Sequence, residues 1–530
     1  CGDDPGVRCQ VISLYRGGQY KLYRYRKYSD VRLVFAPEFA TAFFGGDPDN
    51  FNFPRYNLDI GFVRLYENGK PAVTPQHLTW VSRAPQAGEA TFVSGNPGST
   101  NRLMTVSQLE TLRDLTIPVG QLQRSEIRGR LIRFSEEGPE QKRVATDPLF
   151  GIENSFKVFF GQQFALNDKA FMDAKRAEEE ALKAKVAADP KLAADIGDPW
   201  ADIEKAQAAY ANNYLRYRQI EGGATYSHLY DYAETLVRAA QERTKPSAER
   251  LPEYADTRLS LQEKQLLDAK PVDPALEETY LSFWLSKTRE YLTTDDLAVK
   301  ALLGKESPEG LARRVVAGSR LGDPAVRKAL WDGGLAAIEA SDDPMIQLFL
   351  RNDPAARAVR KAWETEVQGP TDAAAERVAR AKFAAYGDAV YPDATFSLRL
   401  SYGKVDGWTW RGTTVPPTTS FAGLYERATG AEPYELAPRW IAAQGKVNPA
   451  TVYNFVTTND IIGGNSGSPV VNARGEVLGA AFDGNIHSLG GAFGYDGAIN
   501  RTVVVATSAA TEALDKVYGR TALVKELTGK

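Results

Sequence analysis

The chain has 530 residues, 43% of them hydrophobic and 25% charged, with a formal net charge of −3. This composition excludes a disordered or fibrous chain, and the length exceeds the ~250–300 residues that one core usually holds, so two or more domains are expected. The near-neutral charge gives no general electrostatic reason to bind nucleic acid, and no apolar run reaches the ~20 residues of a bilayer-spanning helix.

The opening CGDDPGVRCQVISLYRGG runs at once into strand-like sequence, without the charged and apolar regions of a signal peptide. It reads as a start in mid-domain, and a processed, truncated or excised chain is the expectation. Cys1 and Cys9, the two cysteines, suit a bridge in an oxidising compartment and equally well two separate thiols.

Residues 1–154 read mainly as strands and turns. VISLYRGG, KLYRYRKY, DVRLVFAP and DIGFVRLYENG place aromatic and branched residues in short runs between Gly, Asp and Pro, as an antiparallel barrel requires, and GEATFVSGNPGS and RGRLIRFSEEG are read as continuing them. Within this region, NLDIGFVRL sets Asp59 at the mouth of an alternating apolar strand. An aspartate so placed can hold one ring nitrogen of a histidine, selecting the tautomer whose other nitrogen takes a proton from serine. The structural alternative for Asp59 is a turn or cap acid.

From 155 to 385 the pattern turns helical. Apolar residues recur every third or fourth position in FMDAKRAEEEALKAKVAADP, YSHLYDYAETLVRAAQERT and LEETYLSFWLSKTREYL. This inserted domain reads as scaffold or cover for a site, not as a source of chemistry. Strand signals return over 386–530 in FSLRLSYGKVDGW, PATVYNFVTTNDI, SPVVNARGEVLGAAFDG and RTVVVAT, before a C-terminal helix. A helical insertion between two β regions is therefore expected, with no repeat of solenoid length.

The sharpest local signal lies in the last region, in Gly463-Gly464-Asn465-Ser466-Gly467-Ser468-Pro469. A turn of small residues can expose a hydroxyl and aim N–H groups at one point, the two demands of acyl transfer. Ser466 is the candidate nucleophile, with Ser468 the lesser one. The N–H groups of Gly464 and Ser466 are the candidate oxyanion donors. The competing reading is a Gly/Ser turn between strands.

An acid before an early strand and a serine in a late turn match the chymotrypsin-like order of histidine, aspartate and serine. That order requires a histidine upstream of Asp59, yet the three histidines are His77, His228 and His487. Each reads as structural or peripheral. The base is expected in an N-terminal segment absent from this chain, and the chain alone is expected to turn over poorly.

FFGGDPDNFNFPRYNLDIGFVRLY, FGIENSFKVFFGQ and GGNSGSPVVNARGEVLGAAFDGN together resemble the bacterial serine-type dipeptidyl aminopeptidases, the group of dipeptidyl peptidases 7 and 11. The resemblance covers most of the chain. It implies a chymotrypsin-like double β-barrel with a large α-helical domain inserted between the barrel segments, and release of dipeptides from free N-termini of oligopeptides. It assigns Asp59 and Ser466 to the triad, and Asn50, Phe51 and Asp483, with Asn154 as a further member, to the site for the substrate's terminal ammonium. Phe51 stands where family members commonly carry tryptophan. Gly484 stands where relatives that prefer acidic residues carry arginine, which implies a hydrophobic or broad preference before the scissile bond. The resemblance further implies a periplasmic homodimer made from a precursor with a signal peptide. The mechanism calls for no cofactor, and the sparse histidines, with no close Cys/His/acid constellation, argue against catalytic zinc. The alternative function is a noncatalytic peptide-binding relative that has lost proton transfer.

Overall fold

A computed structural model of the chain describes residues 4, 6–15, 19–387 and 390–529. It divides into two compact units. One comprises Cys1–Ile117, Glu153–Pro199 and Ala375–Lys530; the other comprises Pro118–Ile152 and Trp200–Ala374.

The first unit is built on β-sheet. Its largest sheet has eight strands, seven of them in the order Thr418–Ser420, Val452–Thr457, Thr502–Ala506, Glu476–Gly484, Pro469–Val471, Ala90–Gly95 and Arg399–Lys404. These pair antiparallel, while Thr79–Trp80 runs parallel to the start of Glu476–Gly484. The early strand Ala90–Gly95 is clamped between late ones, with Val93 facing Val470 on one side and Ser401 on the other. Segments separated by hundreds of residues thus complete one sheet, which only a long-range fold can impose on them. A three-stranded sheet joins Asp30–Phe35, Phe62–Glu67 and Lys70–Pro71, and a hairpin pairs Val7–Leu14 with Gln19–Arg26. Cys9, in that hairpin, is disulfide-bonded; Cys1 lies outside the described residues.

The core of the large sheet follows from its sequence. Thr502–Ala506 is buried at every position, and its run of valines is what a strand covered on both faces requires. Val93, Phe455, Val470, Leu478 and Val505 form one cluster with it, all at 1% exposure or less.

The second unit is helical. Proline at the first turn of a helix needs no N–H partner, and an acid or serine just before it caps the open amides. Asp273-Pro274, Ser307-Pro308, Asp323-Pro324 and Asp343-Pro344 all start helices in this way, with the side chain accepting from a backbone N–H one or two residues beyond the proline. Leu236, Leu281, Leu285, Leu311, Val315 and Phe349 fill the core between them.

Two expectations differ from the structure. RGRLIRFSEEG does not form a strand: residues Ile117–Ser135 are one helix. Arg128 and Arg130, two apart, imitate a period of two, but the buried side chains are Ile127, Leu131 and Phe134, a spacing of four and three that marks a helical face. The expected border at 154/155 also falls inside a helix, Pro139–Asn167, and residues 153–199 group with the sheet unit. Among the described residues no helix is long and apolar enough to cross a membrane.

Candidate active site

The serine turn connects the end of the Val452–Thr457 region to the strand Pro469–Val471. Gly464 and Gly467 have φ of 108° and 83°, a region that favours glycine because L side chains clash there. At Gly464 a side chain is also excluded by space, since a Cβ would lie 2.5 Å from the Asn96 carbonyl oxygen and 2.6 Å from the Gly98 nitrogen. The turn is docked onto that early segment, Gly98 N–H donating to the Gly463 carbonyl at 2.7 Å.

The backbone donors of the turn divide cleanly. Asn465 N–H goes to Ile462 O (3.1 Å), Gly467 N–H to Ala481 O (2.7 Å) and Ser468 N–H to Asn465 O (2.9 Å). Among the described residues, the N–H groups of Gly464 and Ser466 have no acceptor. These two are the donors that the sequence singles out. Ser466 is exposed, and its hydroxyl donates only a long bond, 3.4 Å, to the Phe482 carbonyl. Ser468 is 7% exposed and packs against Gly95, whose missing side chain makes room for it.

Phe482 occupies an irregular point in the strand Glu476–Gly484. Ala481 pairs with Val504 and Asp483 with Val503, so Phe482 is an extra residue, a β-bulge. Bulges re-aim the side chains beside them. The next residue, Asp483, turns its carboxylate to the loop that carries Asn50 and Phe51. Its Oδ2 accepts from the Phe51 N–H (3.0 Å) and from Arg55 Nη1 (2.5 Å), and its Oδ1 accepts from the Gly484 N–H (2.8 Å). Burial raises the pKa of this carboxyl, while Arg55 and the two amides oppose the rise. An ionised carboxylate has about four acceptor positions. Three are occupied, leaving one on Oδ1.

Arg55 was not singled out from the sequence. Its side chain and that of Asp483 are only 2% and 6% exposed, and it also donates to Asn57 Oδ1 and the Asp49 carbonyl, each at 2.9 Å. Its guanidinium lies over the Phe482 ring, 5.4 Å from the centroid. A basic residue four positions before a candidate catalytic acid was the available signal.

The loop itself is held by the helix Pro139–Asn167. Asn50 Nδ2 donates to Asn154 Oδ1 at 3.0 Å, an orientation that leaves Asn50 Oδ1 as an acceptor with no donor among the described residues. One turn along, Lys157 Nζ bonds the Asp47 carbonyl and reaches the Asn50 carbonyl at 3.4 Å. Phe51 has φ of 58° and contributes its backbone N–H to Asp483.

Asp59 follows a firmly tethered stretch. Asn57 N–H donates to Asn454 Oδ1 (2.8 Å), Asn454 Nδ2 returns a bond to Asn57 O (2.9 Å), and Leu58 is buried. Asp59 keeps an exposed surface, although protein crowds its carboxylate enough for partial desolvation to raise its pKa. The charge of Asp483 adds to that rise and Arg55 counters it, so the three groups are electrostatic neighbours. Among the described residues Asp59 makes no side-chain hydrogen bond. His77 is exposed beside the Thr74 carbonyl, and His487 packs 4.3 Å from the Trp410 ring, its pKa depressed by burial. Neither bonds Asp59 or Ser466. His228 begins a helix of the other unit.

Comparison with known proteins places these features in a family. The peptidase S46 family matches residues 1–529. The chain belongs to the peptidase S46 family. S46 is a family of serine peptidases. This S46 chain is 28% identical to an Asp/Glu-specific dipeptidyl-peptidase of Shewanella putrefaciens, covering 99% of this chain and 78% of that protein. It is 26% identical to a dipeptidyl-peptidase 7 of Phocaeicola vulgatus, over 99% and 76%. The fold is similar to the crystal structure of Porphyromonas endodontalis DPP11 in complex with the dipeptide Arg-Glu, with a TM-score of 0.80 at 21% identity, covering 99% of this chain and 78% of that one. The mixed helical and sheet architecture is therefore that of an S46 peptidase.

Proposed function

We propose that this S46 chain is a serine exopeptidase that releases dipeptides from the free N-terminus of oligopeptides, on a chymotrypsin-like double barrel. The single observation that supports the reading is that the attacking hydroxyl contacts, and the proposed amine anchor belongs to, adjacent residues of one strand. Ser466 Oγ rests on the Phe482 carbonyl and the next side chain, Asp483, is the anchor. An extended chain advances about 3.3–3.6 Å per residue, so an ammonium held near Asp483 leaves room for a short N-terminal segment before the attacked carbonyl.

In this mechanism Ser466 Oγ adds to the carbonyl carbon as its proton passes to an imidazole oriented by Asp59. The oxygen that becomes negative is met by the unspent N–H groups of Gly464 and Ser466. The proton then goes to the leaving amine, and water releases the dipeptide from Ser466. The open acceptor positions of Asp483 and Asn50 take the substrate's ammonium, since carboxylate and amide oxygens replace the water around it. The reading needs an imidazole other than His77, His228 and His487, which is why it is tested on the complete precursor.

For specificity we favour a hydrophobic or broad choice before the scissile bond. Gly484 supplies no cation, and even a Cβ there would press against Ser488. Relatives bearing both kinds of name match this chain, so the choice is tested directly. The complete protein is assayed on free and N-blocked peptides with leucine, phenylalanine, aspartate or glutamate at that position, with Ser466→Ala as control. Cleavage only of free peptides, fastest after leucine or phenylalanine, is the expected result. Equal cleavage of blocked peptides overturns the anchor, and faster cleavage after acidic residues overturns the specificity.

A further inference from the structure

The run that leads into the serine turn is not held by its own backbone donors. Among the described residues, the N–H groups of Asp460, Ile461, Ile462 and Gly463 have no acceptor, whereas Asn459 just before them donates through Nδ2 to the Thr91 and Ser401 carbonyls. Ile461 and Ile462 pack against two different apolar clusters, but apolar contact has no preferred direction. Ahead of the turn's own bonds, the directional hold on this run is the carboxylate of Asp460.

Arg102 grips that carboxylate with both arms of its fork. Nη1 donates to Oδ2 at 2.7 Å and Nη2 to Oδ1 at 2.9 Å, the paired geometry that gives an arginine–carboxylate contact its direction. Nε and Nη2 also donate to the Gly491 carbonyl, at 2.9 and 2.7 Å, and Nη1 to the Tyr391 hydroxyl at 2.9 Å. A guanidinium has five N–H groups, and here all five are spent. The pair is partly sheltered, its side chains 14% and 27% exposed.

Arg102 is itself fixed. Its backbone N–H donates to Asp393 Oδ1 at 2.8 Å, and the Asn101 N–H to the Ala492 carbonyl at 2.7 Å. Earlier in the same segment lies Gly98, which bonds the Gly463 carbonyl in the serine turn. Residues 98–102 thus touch the turn at one end and, at the other, join Asp460 to Gly491, in the segment that follows Asp483 and Gly484.

We infer that Arg102 is a positioning residue for the nucleophile. It bonds neither Ser466 nor the amine anchor; by tying Asp460 to Gly491 it sets where the Ser466 hydroxyl and the N–H groups of Gly464 and Ser466 point. Its catalytic consequence rests on the peptidase reading above, whereas the tether itself rests on the contacts alone. A reacting group displaced by about 1 Å loses about 10²-fold in rate. Lysine cannot replace this arginine, since a single ammonium has no planar fork with which to hold a carboxylate and a carbonyl at once.

The test compares the complete protein with its Arg102→Met, Arg102→Lys and Arg102→Ala variants. In Arg102→Met, amide hydrogen exchange over 460–468, followed by mass spectrometry, should quicken by about ten-fold or more while the strand Thr502–Ala506 stays protected. On a peptide with a free N-terminus its kcat should fall about 10²-fold with KM within about three-fold, because the anchor residues keep their own bonds. Arg102→Lys should recover less than about a tenth of the lost rate. Millimolar guanidinium, but not ammonium, should raise the kcat of Arg102→Ala by about ten-fold, a recovery that general loss of structure would not show. If Arg102→Met does not fold, Asp460→Asn, which weakens the same link, decides by the same exchange and kcat readings. Unchanged exchange over 460–468, full activity in a folded variant, a loss carried by KM alone, or equal recovery with ammonium overturns the inference. If Ser466→Ala keeps full activity, the peptidase reading fails, and the exchange measurement alone then judges the tether.

Discussion

Replacing Arg55 by methionine tests the charge arrangement at the centre of the sheet unit. The substitution keeps most of the side chain's volume but removes three bonds, to Asp483 Oδ2, Asn57 Oδ1 and the Asp49 carbonyl. Asp483 would then be buried with two backbone amides as its only described partners. Removing one partner of a buried ion pair costs about 3–5 kcal/mol, because the remaining charge has neither water nor counterion. With both side chains nearly inaccessible, at 2% and 6% exposure, this range applies without a large discount for solvent screening. The loss should also depend on pH. Burial already raises the carboxyl pKa, and losing the guanidinium raises it further. A group whose pKa is higher folded than unfolded favours the fold below its unfolded value, and that support is lost as pH rises through the folded value. Urea unfolding of Arg55→Met should therefore show a larger deficit at pH 8 than at pH 5. Adding Asp483→Asn should recover at least half of the deficit at pH 8, as a double-mutant cycle on a directly contacting pair requires. A deficit below about 1 kcal/mol, the same deficit at both pH values, or no recovery in the double variant would refute the reasoning.

In the complete protein, Ser466→Ala is expected to lower kcat by about three to six decades, whereas Ser468→Ala should still form a covalent adduct with a serine-directed phosphonate, detected by mass spectrometry. Gly464→Ala forces a side chain into a φ of 108° against Asn96 and displaces a proposed oxyanion donor. Its kcat should fall about 10²-fold with KM little changed, which steady-state kinetics on one peptide will check. In the helical unit, Glu234 shares Arg238 with Glu221 and Asp353. Three acids around one guanidinium leave one readily protonated, and burial pushes Glu234 up to about 7. The stability that its protonation supplies is complete below about pH 4.5 and fades as pH rises through about 7, so Glu234→Gln should flatten that decline by about 2 kcal/mol, measured by urea unfolding across pH 5–8.

What could be read from the sequence was the chemistry that is local in the chain. Gly464 to Ser468 revealed itself because the small residues that make the turn are contiguous, and the structure shows why the glycine at 464 cannot be exchanged. The helix starts at Asp-Pro and Ser-Pro pairs are local in the same sense. Arg55 remained hidden because its meaning lies in a carboxylate 428 positions away, and nothing in FNFPRYNLD states that partner. The RGRLIRFSEEG helix was hidden for the opposite reason, since eleven residues fit two periodicities and the choice is made by which side chains the fold buries. The placement of residues 153–199 with the sheets is likewise a matter of tertiary contact, although the helix containing Asn154 looks like its neighbours in the helical unit when read as sequence.

In the proposed mechanism, with Asp483 as the amine anchor, the extra residue at 482 ties product size to backbone geometry. Side chains alternate faces along a strand, so excising Phe482 would send the carboxylate of residue 483 to the opposite face, away from the Asn50 loop, while the hydroxyl of Ser466 would lose the carbonyl on which it rests. A change from cutting two residues to cutting three is therefore not available to point substitutions at the anchor. It calls for an insertion or deletion in this strand, a kind of mutation that cores rarely tolerate, and the length of the fragment released should vary far less among related proteins than the side chains they accept.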